Sequence, residues 1–252
     1  MQTAEIAPPP ERFNFARHLM ALNAHRSGKT ALIDDAGTLN YGQLADRIQR
    51  CSAALQALGL QREERVLLLM HDSSDWVVSF PGALHAGVVP VCVNTLLTAK
   101  DYAYMLADSR ARAALVSGAL LPALHEALAS GGHSLRQIIV SRAQAALPDG
   151  ACDLGELLDA QAPGEGTDTH ADEPAFWLYS SGSTGNPKGT VHTQANLYWT
   201  AELYGKGVLG LREDDVVFSA AKLFFAYGLG NGLSFPLSVG ASVVLMAERP
   251  TP

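Results

Sequence analysis

Apolar positions along the first half of the chain alternate between two periods. Leu44, Ile48, Cys51, Leu55 and Leu58 step by four, three, four and three, which is one face of an amphipathic helix. Asn40 stands where an N-cap belongs and Gly59 where a helix would end. The compact run over 65–70 predicts a strand covered on both faces. A second helix is predicted from Ser73 or Ser74 to His85, with Pro81 as a kink, and then a β-branched strand over 88–93. Thr98 and Asp101 have capping-box spacing ahead of a short helix. Strands are predicted at 112–116 and 137–140, with a helix between them.

From 143 to 174 the periodicity fades. Gly, Pro, Asp and Thr accumulate over 163–174, which predicts a linker or subdomain boundary near 165–173. Alternation then resumes. A strand is predicted at 175–179, a helix capped by Thr193 and running to about Tyr204, and strands at 215–219 and 242–246. This order predicts an α/β fold with a mostly parallel sheet and helices on its faces. The expected division is a first α/β subdomain over 1–170 and the start of a second over 171–252. No closing helix or polar tail follows the last strand, so the sequence reads as incomplete at Pro252.

Composition narrows the function classes. At 252 residues, 48% hydrophobic and 17% charged, the chain suits one large or two smaller globular domains. A net charge of −7 without a basic stripe argues against nucleic acid as a partner. Cys51, Cys92 and Cys152 are odd in number and far apart, which fits reduced thiols in the cytoplasm better than a disulfide framework or a metal cluster. The N-terminal prolines do not resemble a secretory signal. The most apolar stretch, 76–97, is interrupted by Pro81, Gly82, His85, Gly87, Pro90 and Asn94, so no membrane span is expected.

The chemistry concentrates in Tyr179-Ser180-Ser181-Gly182-Ser183-Thr184-Gly185-Asn186-Pro187-Lys188-Gly189. Its glycines let backbone N–H groups close on an anion. Ser180, Ser181, Ser183 and Thr184 add hydroxyl donors, and Lys188 adds a positive charge on a flexible stem. A Walker A loop would need Gly before the lysine and Ser or Thr after it; Pro187 and Gly189 stand there instead. A solvated Ser/Gly turn would explain the composition but not the order of the run. The loop is expected to pass directly from a strand into a capped helix, with His192 at the helix start.

This run resembles the signature of the adenylate-forming superfamily, which contains acyl- and aryl-CoA synthetases, luciferases and nonribosomal peptide adenylation domains. Leu39-Asn40-Tyr41-Gly42-Gln43-Leu44 is similar to the family's early Thr-Tyr-x-Glu-Leu segment, with Gln43 in place of the acid. Leu84-His85-Ala86-Gly87-Val88-Val89-Pro90-Val91 is similar to its Ala-Gly-x-x-Pro segment. The resemblance runs from about Phe13 onward. It implies two mostly parallel sheets flanked by helices, and ATP, Mg2+ and CoA as cofactors. It also implies that a carboxylate attacks the α-phosphate of ATP to give an acyl-adenylate and pyrophosphate, and that a thiol then displaces AMP. Carried onto these residues, Ser180, Ser181, Gly182, Ser183, Thr184, Gly185 and Lys188 are expected to hold the nucleotide, with catalytic roles for Thr184 and Lys188.

The segment 222–231 offers a clue to the acid. Phe225, Ala226, Tyr227 and Gly228 look like the form of this segment in benzoate- and hydroxybenzoate-CoA ligases, where it makes one wall of the acyl pocket. Ala226, Tyr227, Gly228 and Phe235 are therefore expected to bind substrate. Spacing alone also allows Phe224, Phe225 and Tyr227 to be core aromatics. His71, Asp72 and His85 show no metal-ligand spacing, and no metal site is expected within the chain. The family's adenine, ribose and metal contacts and its C-terminal lysine lie in later segments, so the chain alone is not expected to turn over. A fatty-acyl ligase, a non-catalytic ATP-binding module and an interaction fragment remain the competing readings.

Overall fold

The computed structural model describes residues 6–180 and 185–248. The chain begins with α1 (Phe15–Asn23), capped by Asn14, whose side chain accepts from Arg17 N. An antiparallel pair, β1 (Thr30–Asp34) and β2 (Gly37–Asn40), leads into α2 (Tyr41–Ala57). On α2 the predicted stripe of Leu44, Ile48, Cys51 and Leu55 is buried. Its N-terminus is closed reciprocally: Gln43 N donates to Asn40 Oδ1 at 2.7 Å, and Asn40 N donates to Gln43 Oε1 at 2.9 Å. Gln43 thus does what an acid does at this position of a capping box. Gly59, with φ +84°, sits in the left-handed region just past the helix end.

Strand and helix then alternate as predicted through β3 (Arg65–Leu69), α3 (Ser74–His85), β4 (Val89–Cys92), α4 (Ala99–Ser109), β5 (Ala113–Ser117), α5 (Leu121–Ala129) and β6 (Gln137–Ser141). The Thr98–Asp101 capping box forms on α4. The aperiodic stretch holds two short elements that the pattern missed, β7 (Ala151–Asp153) and α6 (Leu154–Asp159). There follow β8 (Pro174–Ser180), β9 (Lys188–Thr193), α7 (Gln194–Thr200), β10 (Val216–Phe218), α8 (Ala226–Leu229), α9 (Phe235–Val239) and β11 (Ser242–Val244). A π-helical turn over Ala201–Lys206 extends α7, and another over Gly230–Ser234 joins α8 to α9.

Two sheets result. One has the order β7-β6-β5-β3-β4-β8-β9 and is parallel except at β9; the other has the order β10-β11-β1-β2 and is parallel except at β2. Successive residues of β3 face opposite ways. Val66 and Leu68 join the core shared with α1, α2 and α3, whereas Leu67 and Leu69 join the core under α4 and α5. A strand covered on both faces must be apolar at every position, hence the unbroken run. The first of these cores also contains Leu32 of β1 and Val243 of β11, so helices sandwiched between the sheets bind both into one interior.

The sheets do not respect the division at 170/171. β8 and β9 complete the sheet that begins with β3, and β11 returns to pair with β1, Leu32 opposite Val243. The Gly/Pro-rich stretch is also no loose linker. Thr167 N donates to His85 O at 2.7 Å, Thr167 Oγ1 to Ala86 O at 2.8 Å, Thr169 Oγ1 to Phe13 O at 2.7 Å, and Ala171 N to Glu11 O at 2.9 Å. Its composition marks irregular backbone, and that backbone finds partners on α3 and the N-terminal segment.

Helices α2 and α3 touch through a glycine. A Cβ at Gly82 would lie 2.7 Å from both Cβ and Sγ of Cys51. Gly82→Ala is therefore expected to destabilise the fold by about 1–3 kcal/mol, the usual cost of overpacking, read as a lowered thermal or urea midpoint. Cys51→Ala in the same chain should recover only part of the loss, because Cys51 Cβ itself is in the way.

Candidate active site

The Ser/Gly-rich segment expected to grip phosphate lies between two antiparallel strands. β8 and β9 pair with Ser180 opposite Lys188, Tyr179 opposite Gly189 and Phe176 opposite His192. This corrects the expectation that the loop passes directly into a helix with His192 at its start: Lys188 opens β9, and His192 lies within it. The strand was missed because Lys-Gly-Thr-Val-His-Thr is largely polar, as an edge strand can be. Of the predicted loop residues, Ser181, Gly182, Ser183 and Thr184 lie outside the described residues.

The flanks of the loop are well defined. Gly185 has φ +111°, a backbone state that L side chains rarely adopt, and among the described residues a Cβ there would meet nothing within 4 Å. At Gly189 a Cβ would sit 2.9 Å from Trp177 Cε3, so glycine lets β9 pass beneath the indole. Tyr179 Oη donates to Asp108 Oδ2 at 2.6 Å, tying the loop's first strand to α4. Burial, and then that bond to Asp108, push the phenol well above its ordinary pKa, so it stays a neutral donor. The Lys188 side chain is exposed, and among the described residues no carboxylate pairs with it. The left-handed backbone at Gly185 and the exposed ammonium of Lys188 suit an anion held by backbone N–H groups and one cation.

An apolar cavity of about 100 Å³ adjoins the same two strands. Phe176 and Leu178 of β8, His192 of β9, and Ala226, Gly230 and Phe235 line it, together with Asn196, Leu197 and Thr200 of α7. The rings of Phe176 and His192 stack with centroids 4.6 Å apart at 7°. Burial lowers the His192 pKa, so the imidazole is neutral at neutral pH, and its Nδ1 lies 3.3 Å from Asn196 Nδ2. Phe235 is held between two glycines. A Cβ at Gly230 would fall 2.5 Å from its Cζ, and one at Gly205 would fall 2.8 Å from its Cβ.

The four predicted substrate residues are placed differently. Ala226 and Phe235 line the cavity. Gly228 does not; its Cα packs so closely on the 222 carbonyl that a Cβ would lie 1.9 Å from Lys222 O. Tyr227 is 68% exposed and also outside the lining. Of the neighbouring aromatics, Phe224 is buried in the core and Phe225 is half exposed. Phe176, Leu178 and His192 were missed. The signal for them was register: 176 and 178 share one face of a strand, and pairing of β8 with β9 puts His192 opposite Phe176.

The profile of a family described as AMP-binding enzyme matches residues 20–252. The chain belongs to the AMP-binding enzyme family. It is 54% identical over 247 residues to the benzoate–CoA ligase of Thauera aromatica, covering 96% of this chain and 46% of that relative. Among solved structures, the fold of this AMP-binding chain is similar to a benzoate CoA ligase from Burkholderia xenovorans LB400, with a TM-score of 0.87 and 57% identity over 95% of this chain and 46% of that one. It is similar also to the anthranilate CoA ligase AuaEII, solved in complex with anthranoyl-AMP, with a TM-score of 0.90 and 36% identity over the same shares. The chain thus spans about half the length of the relatives it matches. Among the described residues no helix is long and apolar enough to cross a membrane, and no group of three or more His, Cys, Asp or Glu side chains is arranged to hold a metal ion.

Proposed function

We propose that the polypeptide carrying this sequence activates benzoate or a closely similar aromatic acid. A carboxylate oxygen attacks the α-phosphorus of ATP, pyrophosphate leaves, and the sulfur of CoA then attacks the acyl carbon and releases AMP. The observation that carries this reading is the small, mostly apolar cavity beside the β8–β9 hairpin. Engineered apolar cavities of about 150 Å³ accept a benzene ring, and at about 100 Å³ this one favours a single ring over a long alkyl chain. The similarity to benzoate–CoA ligases supports the same acid.

Ser180, Gly185 and Lys188, with Ser181, Gly182, Ser183 and Thr184, are the proposed phosphate grip. Thr184 and Lys188 offset the charge that gathers on the departing pyrophosphate, an effect of position and electrostatics. Mg2+ is the proposed counter-ion of the ATP phosphates. Ala226 and Phe235 are the proposed contacts of the ring. Gly228 acts through the closed turn at 222–228, and Tyr227 is a proposed contact from its exposed side. Unpaired Cys51, Cys92 and Cys152 fit the proposed cytoplasmic location, where reduced thiols persist.

The test is ATP–pyrophosphate exchange by the full-length polypeptide with benzoate and with a long-chain alkanoate. Benzoate is expected to give the higher kcat/KM by at least roughly 10-fold, since pocket fit of this kind discriminates by 10–200-fold. An equal or higher value for the alkanoate would overturn the reading.

A further inference from the structure

Asp72 is 5% exposed in the turn between β3 and α3, outside the lining of the cavity. Its Oδ1 accepts from Leu223 N at 3.1 Å, and its Oδ2 lies 3.9 Å from Lys222 Nζ. The Lys222 ammonium donates to the carbonyls of Met246 at 2.6 Å, Ala247 at 3.2 Å and Glu248 at 2.6 Å. Its donors are thus spent on backbone, and Asp72 supplies balancing charge rather than a direct bond. Three segments far apart in sequence meet here: the end of β3, the turn into α8 and the exit of β11. Phe225 N donates to Lys222 O at 3.0 Å, and Gly228 packs on the same carbonyl. Four residues beyond Lys222, Ala226 forms the cavity wall.

A buried pair of this kind returns little net stability, because desolvating both charges offsets their attraction. Stability is therefore a poor reason for its presence. We propose that Asp72 and Lys222 are positioning residues that hold the 222–226 turn, and with it Ala226 in the cavity wall, against the end of β3, so that affinity for the aromatic acid, and not for ATP, depends on the charge of Asp72. This rests on the function proposed above.

The surroundings of Asp72 make that charge variable. Burial pushes its carboxyl from 3.8 up to about 6, against the opposing effects of Leu223 N–H and Lys222. Lys222 faces it from the turn into α8. On its own turn His71 is held below its usual pKa by burial and by Lys222. Asp34, which reaches Ser74 N, is itself paired with Arg142. As pH falls through about 6, Asp72 takes up a proton, loses its attraction for Lys222 and becomes a weaker acceptor for Leu223 N. Fold stability moves the other way. A carboxyl raised from 3.8 to about 6 contributes stability that is fully present below 3.8 and is lost as pH rises through about 6. Acid therefore loosens the wall while this group strengthens the fold, which separates positioning from unfolding.

The experiment measures KM for benzoate and for ATP by pyrophosphate exchange in the full-length polypeptide, from pH ~5 to ~8. In the unmodified protein, KM for benzoate is expected to rise roughly five-fold below pH 6 while KM for ATP stays level. Asp72→Asn should show the raised benzoate KM at every pH, with no inflection. If Asp72→Asn keeps the original value and profile, the inference fails although benzoate is activated. If the unmodified protein does not activate benzoate, the functional reading fails instead, and amide hydrogen exchange decides the latch. Lys222→Met should speed exchange over 222–229 with the seven-stranded sheet unchanged; unaltered exchange there overturns the latch.

Discussion

Ala226→Leu is expected to lower kcat/KM for benzoate by roughly 10²-fold or more while leaving the affinity for ATP within about two-fold. Ala226 lines a cavity of about 100 Å³, and the substitution adds an isopropyl group to its wall. The surroundings have little room to move. Phe235 is clamped by Gly205 and Gly230, and the stacked rings of Phe176 and His192 are fixed by the pairing of β8 with β9. Close-packed interiors transmit such an intrusion rather than absorb it. Titration with nucleotide by calorimetry, beside pyrophosphate exchange with benzoate, separates the two effects. Equal loss of both, or of neither, would remove Ala226 from the acid site.

Lys188→Ala is expected to reduce benzoate-dependent pyrophosphate exchange by roughly 10²-fold, the usual scale for deleting one preorganised group that meets developing charge. The fold should be indifferent. Lys188 is the first residue of β9, its backbone pairs with Ser180, and its side chain is exposed, so alanine keeps the ladder and removes only the cation. A melting temperature within about 2 °C of the unmodified protein is the expected control, since surface changes of this kind cost at most about 0.5 kcal/mol. Undiminished exchange in a well-folded Lys188→Ala protein would take the lysine out of the phosphate grip.

Much of the parallel sheet was legible because its strands are buried on both faces and read as continuous apolar runs, β3 above all. Helices α2 and α4 were legible from their caps, Asn40 with Gln43 and Thr98 with Asp101, since capping is local chemistry between residues three apart. The elements that were missed lack such signals. β7 and α6 are short. β9 is polar on an edge, and β1 and β2 offer runs too brief to separate from loop. On the candidate site, sequence order pointed to the Ser/Gly-rich run and to Ala226 and Phe235. It did not point to Phe176, Leu178 or His192, whose roles depend on the pairing of two strands.

By itself, then, the sequence determined what is local: the helices with caps, the strands with unbroken apolar runs, and the ordered Ser/Gly-rich run whose resemblance pointed to the family. Tertiary structure decided what needs residues distant along the chain. It inserted β11 between β10 and β1, stitched 163–173 onto α3 instead of leaving a linker, and shaped a cavity from β8, β9, α7, α8 and α9. It also carried Lys222 to Asp72, from the far end of the chain, to meet the carbonyls beyond β11. Periodicity and capping act over a few residues through backbone geometry. Cavities and buried charges arise only when separate elements pack, and no short window of sequence contains that contact.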